Sequence, residues 1–219
     1  MSRWMTLLLL TTGCASSHSH SVDRRAMDHH FAEPEKFAAA WNDPSRDAWQ
    51  KPEEIVAALG LVSGGAVADL GAGTGYLVEP LRDAVGNEGS VVAVDVSPEM
   101  IAFLDRRIES AGWRNVATHR GAPNDPGLKA SSLDGVVTLN TWHHVEKRVA
   151  FATKLRESLR DGGRLVVVDF LAEPTEGKGP PLEMRLPAST VVEELRAAGF
   201  NAEVLEETLP RHYIVVGSK

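Results

Sequence analysis

The chain has 219 residues, of which 43% are hydrophobic and 24% are charged, and its formal net charge at pH 7 is −7. This length and composition indicate one globular domain with a sizeable core and some additional sequence. The negative charge disfavours nucleic acid as a partner, because phosphate binding needs an excess of Lys and Arg. The single cysteine, Cys14, excludes an intrachain disulfide and a zinc site that is built from several cysteines.

The first 14 residues have the layout of an export signal. Arg3 gives a positive start, residues 4–10 form a short apolar run, and small residues surround Cys14. The segment resembles a bacterial lipoprotein signal, in which the cysteine becomes the lipidated first residue. This resemblance implies a cell-envelope protein with membrane attachment through a lipid on Cys14. The alternative is a true start at Met27 and a cytoplasmic protein.

We predict a polar linker at residues 15–30. It is followed by one domain over residues 31–219, whose first part, residues 31–60, is predicted to be a helical cap. The histidines of the linker have no fixed geometry, so they predict no metal site. Within the cap, short helices are predicted for residues 33–41 and 53–59, and each has a proline at or near its first turn.

A glycine-rich turn follows the cap. An apolar strand over residues 67–70 leads into Gly71, Gly73 and Gly75, and a helix is predicted for residues 77–85. Strand, glycine loop and helix in this order form a small-molecule site at the carboxyl end of a parallel sheet, where backbone atoms approach the ligand.

The rest of the chain alternates between strands and helices. Further strands are predicted at residues 90–96, 116–120, 134–139, 164–170, 202–208 and 212–217, and further helices at residues 98–111, 145–160 and 190–198. Thr190 and Glu193 predict a capping box for the last helix. The connection between the last two strands is too short for a parallel crossover, so these strands must be antiparallel. The pattern predicts an α/β fold with a doubly wound, mostly parallel, seven-stranded sheet and a C-terminal antiparallel hairpin.

An acidic residue ends the second strand, as expected for a nucleoside site. Asp95 follows Gly75 by twenty residues, and an acid at this place can accept hydrogen bonds from both ribose hydroxyls of a ligand. The alternative is that Asp95 caps the helix that begins at Pro98.

Three segments together carry a family resemblance. They are Asp-Leu-Gly-Ala-Gly-Thr-Gly at residues 69–75, Val-Asp-Val-Ser-Pro-Glu-Met at residues 94–100, and Leu-Arg-Asp-Gly-Gly-Arg-Leu-Val-Val-Val-Asp at residues 159–169. Over residues 50–217 the chain resembles the class I S-adenosylmethionine-dependent methyltransferases. The resemblance implies S-adenosylmethionine as the cofactor, an unidentified small molecule as the methyl acceptor, and no nucleic-acid partner.

The resemblance also implies a set of cofactor-binding residues: Asp69, Gly71, Ala72 and Gly73 at the methionine end, Asp95 at the ribose, Val96, Met100 and Ala122 at the adenine, and Asn140 near the sulfonium. The family often has an aspartate at the position of Ala122. Asn124 or Asp125 is a candidate to replace it, and without a replacement one hydrogen bond of about 0.5–1.5 kcal/mol is lost.

Two histidines follow the fourth strand, where a general base would lie. His143 and His144 have imidazoles suited to that task, and the alternative is that they only satisfy loop backbone groups. The candidate substrate-pocket residues are Trp49, Gln50, Lys51, Thr141, His212 and Tyr213.

Two other functions remain open from the sequence. A nicotinamide-dependent oxidoreductase would need the spacing Gly-x-Gly-x-x-Gly, but here the third glycine comes one residue early and Tyr76 follows it. A non-catalytic envelope lipoprotein on a methyltransferase scaffold is the second possibility, because the signal would place the domain where the cofactor is not expected to be supplied.

Overall fold

The computed structural model describes residues 33–177 and 179–219 of the chain. The predicted signal and linker, residues 1–30, lie outside the described residues. The strands are β1 (Ala66–Leu70), β2 (Ser90–Asp95), β3 (Val116–Arg120), β4 (Leu133–Leu139), β5 (Leu159–Phe170), β6 (Asn201–Leu205) and β7 (His212–Ser218). They form one sheet in the order β3-β2-β1-β4-β5-β7-β6.

Seven α-helices flank this sheet within the described part of the chain. They are α1 (Pro34–Trp41), α2 (Asp47–Gln50), α3 (Pro52–Leu59), α4 (Val78–Val85), α5 (Pro98–Ala111), α6 (Arg148–Ser158) and α7 (Ala188–Ala197). Short 3₁₀ turns lie at Pro44–Arg46, Trp142–His144 and Leu182–Met184. None of the helices in the described ranges is long and apolar enough to cross a membrane.

The predicted fold class is confirmed. β1 lies between β2 and β4 and is parallel to both, and β4 is parallel to β5. β7 enters between β5 and β6 and is antiparallel to both, as the short connection before it requires. The carboxyl ends of β1, β2, β4 and β5 therefore meet at one edge of the sheet, where loops can build a ligand site.

Both faces of the sheet are covered, which explains the continuous apolar strands. Successive residues of β1 point to opposite faces: Val67 packs in the cluster that contains side chains of α3, α4 and α5, and Ala68 packs in the cluster that contains side chains of α6 and α7. The central strands are consequently rigid supports for the loops at their carboxyl ends.

Two predicted helix starts are wrong. The capping box at Thr190 does not form, because α7 begins at Ala188 with Pro187 at the N-cap and no side-chain cap. Pro187 fixes its own φ near −60°, and its carbonyl accepts a hydrogen bond from Thr190 N, so the helix starts earlier. α6 begins at Arg148 instead of residue 145, because the chain first makes the Trp142–His144 turn.

Candidate active site

The glycine loop after β1 folds back onto β2. The φ angles of the three loop glycines are positive: +73° at Gly71, +54° at Gly73 and +82° at Gly75. Residues other than glycine rarely adopt such angles. A Cβ atom at Gly71 would overlap the side chain of Thr141, so the residue must be glycine for steric reasons as well. The backbone N–H groups of Gly71 and Ala72 donate to the carbonyl of Val94.

Asp69, next to this loop, carries an unusual carboxylate. Its side chain is buried at 3% exposure, and it has no hydrogen-bond or ion-pair partner among residues 33–177 and 179–219. Burial first, and the nearby Asp95 second, raise the pKa of Asp69 to about 7, while Arg46 opposes this effect. Such a group is suited to receive a cationic ligand, whose charge would compensate for the lost hydration.

Asp95 contacts the start of the next helix, as the capping alternative expected, and ribose binding by the same carboxylate stays a prediction. Its Oδ2 accepts from Gly73 N at 2.9 Å, and its Oδ1 accepts from Ser97 N at 2.9 Å. The carboxylate therefore ties the glycine loop to the start of α5. Ser97 also caps that helix, because its hydroxyl accepts from Met100 N at 3.2 Å. The second strand end and the loop are thus held as one unit.

The three residues predicted at the adenine, Val96, Met100 and Ala122, differ in their exposure to solvent. Val96 is 52% exposed and is free to cover a ring, whereas Met100 is buried. Ala122 is exposed and pairs with Asp125 through two backbone hydrogen bonds. The carboxylate of Asp125 is used by Gly127 N and Lys154, so it is not a free acceptor in place of the aspartate that Ala122 lacks.

Asn140 follows β4 directly and has a strained conformation. Its φ is +56°, and its backbone N–H donates to Val168 O on the neighbouring strand at 2.9 Å. Its Oδ1 is buried and has no partner among the described residues. A buried acceptor without a donor is costly, and strain of this kind collects at ligand sites.

A histidine–aspartate pair lies at the same edge, and the sequence interpretation did not find it. His143 Nδ1 is 2.8 Å and 2.9 Å from the two carboxylate oxygens of Asp169, and the side chains are 3% and 1% exposed. The carboxylate also accepts from His143 N and Phe170 N. Asp169 was visible in the sequence as an acid near the end of an apolar strand, and it is the penultimate residue of β5, as Asp69 is of β1.

The structure separates the two candidate histidines. His144 is exposed, and its ring centroid lies 4.1 Å from that of His143. Partial burial, and then His143, lower the pKa of His144. Only His143 is held by a carboxylate hydrogen bond, so only His143 has a fixed orientation.

Some candidate pocket residues come together, whereas others do not. Trp49 stacks on His212 at 5.9 Å between ring centroids, and Phe170 contacts the same imidazole at 4.3 Å. Gln50 is fully buried, and both ring nitrogens of His212 lack a partner within the described chain. Trp49, His212 and Phe170 thus form one cluster of rings, which we call the aromatic wall.

Two other candidates lie outside this wall. Lys51 Nζ donates to Thr208 O at 2.7 Å, so it anchors the cap to the β6–β7 connection. Tyr213 is buried in the apolar core with Trp142. Tyr213 lies opposite Asp169 in the β5–β7 pair, and its buried hydroxyl has no hydrogen-bond partner among the described residues.

The N-terminal cap reaches over the glycine loop. A Cβ atom at Gly73 would lie 3.3 Å from the Trp41 ring, and the Asn42 amide exchanges two hydrogen bonds with Thr74. The Arg46 guanidinium stacks on the Tyr76 ring at 4.0 Å. The cap therefore packs directly on the glycine loop.

A groove of about 670 Å³ lies on the other side of the loop, between α3 and α4. Tyr76 and Arg107 are part of its wall, but Asp69, Asp95, Asn140 and His143 are not. The groove is therefore distinct from the candidate active site.

Comparison with known proteins agrees with this geometry. Residues 67–163 match the family described as "Methyltransferase domain". A solved S-adenosylmethionine-dependent methyltransferase from Aquifex aeolicus superposes with a TM-score of 0.78 and 27% identity, over 85% of this chain and 98% of that one. The fold is that of an S-adenosylmethionine-dependent methyltransferase.

Two curated methyltransferases match a shorter part of the chain. Aklanonic acid methyltransferase DauC of Streptomyces sp. is 29% identical over 104 residues, which are 48% of this chain and 47% of that protein. Ubiquinone/menaquinone biosynthesis C-methyltransferase UbiE of Coxiella burnetii is 27% identical over 116 residues, which are 52% and 46%. The chain thus spans about half the length of these relatives, and all these matches support S-adenosylmethionine-dependent methyl transfer.

The described residues fit S-adenosylmethionine as a cofactor. A buried carboxylate without a partner at Asp69 matches a cationic group, and Asn140 Oδ1 is an unused acceptor. Asp95, which is already fixed by two backbone donors, stands at the strand end that the ribose would face.

Proposed function

We propose that this protein transfers a methyl group from S-adenosylmethionine to a small molecule whose acceptor atom carries a proton, with His143 as the general base. The observation that carries this proposal is the buried contact between His143 and Asp169 at the carboxyl edge of the sheet. A general base is needed only where the acceptor atom must lose a proton, as a hydroxyl group does.

The cofactor supplies a methyl group that its sulfonium already activates. The chain has to bind it, align the acceptor and exclude water. Asp69 and the backbone of the glycine loop would hold the methionine end, Asp95 would bind the ribose, and Val96 would cover the adenine. Asn140 would contribute its unused oxygen near the reacting centre.

Asp169 determines which nitrogen of His143 can act. The carboxylate accepts from Nδ1–H, so the neutral tautomer leaves a lone pair on Nε2. Nε2 makes no hydrogen bond to any of the described residues. It would take the proton from the acceptor, and Asp169 would stabilise the imidazolium that forms.

The aromatic wall favours a flat or apolar acceptor. Trp49, Phe170 and His212 bring three rings together at the carboxyl end of β5. Rings of this kind bind by burial of apolar area and by offset stacking, which are worth about 0.5–1.5 kcal/mol for each pair beyond the area term. A phenol or a similar hydroxylated ring satisfies both this wall and the histidine base.

The test is methyl transfer from labelled S-adenosylmethionine to a panel of hydroxylated aromatic compounds. His143→Ala is expected to lower kcat by about 10²- to 10⁴-fold, while the Kd of the cofactor stays unchanged. His144→Ala is the matched control, because His144 lacks the carboxylate partner. Full activity in His143→Ala, or a greater loss in His144→Ala, would contradict the assignment.

We also infer from the N-terminal sequence that the protein is attached to the cell envelope through Cys14, a residue outside the described part of the chain. In bacterial cells, labelling with palmitate is expected for the wild-type chain and not for Cys14→Ser. A chain that starts at Met27, or an unlabelled cytosolic product, would contradict this inference.

A further inference from the structure

The aromatic wall carries a cation that no acid in the described part of the chain neutralises. The guanidinium of Arg211 lies over the Trp49 ring, with its central carbon 4.4 Å from the ring centroid. It makes no hydrogen bond and no ion pair with residues 33–177 and 179–219. Cation–π attraction holds such a group over the ring, and its N–H donors remain available to an anionic ligand.

A second arginine at the wall is already used by the protein itself. The Arg185 guanidinium lies 5.2 Å from the centroid of the Phe170 ring. Its Nε donates to Pro180 O at 3.0 Å, and its Nη1 donates to Glu173 O at 2.9 Å. Arg185 therefore holds the chain segment after β5 in place, whereas Arg211 has donors that a ligand can use.

The wall also contains buried polar atoms without partners. His212 and Gln50 are both at 0% exposure, yet the two ring nitrogens of His212 and the Nε2 of Gln50 have no partner among the described residues. Burial lowers the pKa of His212 to about 3, so its neutral ring offers one donor and one acceptor. Buried polar atoms normally have partners, and polar groups of a ligand would supply them here.

The wall adjoins the histidine–aspartate pair at the carboxyl end of β5. Asp169 of that pair is followed directly by Phe170, whose ring centroid lies 4.3 Å from that of His212. Arg211 lies opposite Leu171, whose N–H donates to Arg211 O at 3.0 Å. The backbones of Asp169 and Arg211 are thus two residues along a strand and one strand apart, which is about 8 Å. One aromatic ring with a substituent at each end has dimensions of this order.

We propose that the methyl acceptor is a hydroxylated aromatic acid, whose ring packs on the aromatic wall and whose carboxylate is bound by Arg211. The inference rests on the proposed function, and it adds an anionic group to the acceptor at the end away from the reacting hydroxyl. Arg211 is then the residue that determines specificity, because a guanidinium forms charge-assisted hydrogen bonds with a carboxylate and not with a neutral ring substituent.

The experiment measures binding by calorimetry to the full chain loaded with S-adenosylhomocysteine. The probes are 4-hydroxybenzoate and 4-hydroxycinnamate, each compared with its primary amide, which has nearly the same size and no charge. The wild-type chain is expected to bind at least one acid about 10- to 100-fold more tightly than its amide, the range for hydrogen bonds to a charged group.

Variants of Arg211 assign this preference to one side chain. Arg211→Gln removes the charge and should reduce the affinity for the acid to that for the amide, while the affinity for the amide stays unchanged. Arg211→Lys keeps the charge without the planar guanidinium and should retain part of the preference. Arg106→Ala is the matched control, because Arg106 is exposed and pairs with Glu35 away from the wall.

Turnover separates the roles of Arg211 and His143. With an acid that is methylated, Arg211→Gln should raise KM by about 10- to 100-fold and leave kcat nearly unchanged, because Arg211 binds a part of the acceptor that does not react. His143→Ala should instead lower kcat, as a lost general base does. A fall in kcat alone in Arg211→Gln would contradict the binding role.

Three binding results would overturn the inference alone. They are equal affinity of the wild-type chain for acids and amides, failure of the loaded chain to bind either acid, and an equal loss of acid and amide in Arg211→Gln, which would make Arg211 a structural support of Trp49. Methyl transfer to uncharged hydroxylated rings would remain open in each case. If the folded wild-type chain does not bind S-adenosylhomocysteine, the proposed function itself is wrong, and the inference falls with it.

Discussion

Asp69 gives a prediction about stability that can be made without knowledge of the methyl acceptor. The change is Asp69→Asn, which keeps the shape of the side chain and removes its charge. In the unfolded chain the carboxyl has a pKa near 3.8, whereas burial and then Asp95 raise it to about 7 in the folded protein. The folded state therefore holds the proton more tightly than the unfolded state does.

The sign of the effect follows from this difference. Stability associated with protonated Asp69 is fully present below about pH 4, and it is lost as the pH rises to about 7. At about 1.4 kcal/mol for each pKa unit, ionisation of Asp69 costs about 4 kcal/mol at pH 8 and much less at pH 5. The effect of Asp69→Asn on the free energy of unfolding should therefore depend on pH. The substitution should be more stabilising at pH 8 than at pH 5 by about 2 to 3 kcal/mol.

Urea unfolding of both proteins at pH 5 and pH 8, without cofactor, measures this difference directly. The comparison of two pH values cancels the cost of burying the asparagine amide, which is the same at both. Asp83→Asn serves as the control, because Asp83 is an exposed carboxylate on α4. An equal effect of Asp69→Asn at the two pH values would refute the reasoning that Asp69 is buried without a compensating partner.

Three further predictions follow from the site. The affinity for S-adenosylhomocysteine should rise about tenfold for each pH unit up to about pH 7, where Asp69 becomes ionised, and calorimetry should find no such rise in Asp69→Asn. Gly71→Ala should lower the free energy of unfolding by about 1–3 kcal/mol in urea titrations, because its Cβ would overlap Thr141 at a φ of +73°; wild-type stability would contradict this. Burial lowers the pKa of His212 to about 3, so stability is lost as the pH falls below about 6.5, and His212→Phe should recover about 3 kcal/mol of that loss at pH 4.

Most of the fold was predictable because it depends on local patterns. Alternating apolar strands and amphipathic helices were recognisable one element at a time, and the connection before β7 was too short for a parallel arrangement. The predictions failed at the ends of elements. α7 begins before Thr190 because Pro187, three residues upstream of the predicted cap, fixes its own φ at a value from which a helix can start.

Candidate site residues could be named from the sequence where a residue and its immediate neighbours formed a recognisable pattern. Asp69 and the glycines of the loop needed only their position after an apolar strand. The contacts of Lys51 and Tyr213 could not be read from the sequence, because the direction of a side chain depends on contacts far along the chain. Lys51 turns to Thr208, and Tyr213 turns to the core.

The sequence by itself determined a doubly wound sheet with a glycine loop and two acids at strand ends, because each of these features is encoded within a few residues. Only the tertiary structure decided which groups meet at the edge of the sheet. His143 and Asp169 are 26 residues apart and come together through the pairing of β4 with β5. Arg46 is brought near Asp69 by the packing of the cap onto the loop. Such contacts between residues that are distant in sequence depend on the register between strands and on helix packing. They cannot be predicted from a local pattern of residues.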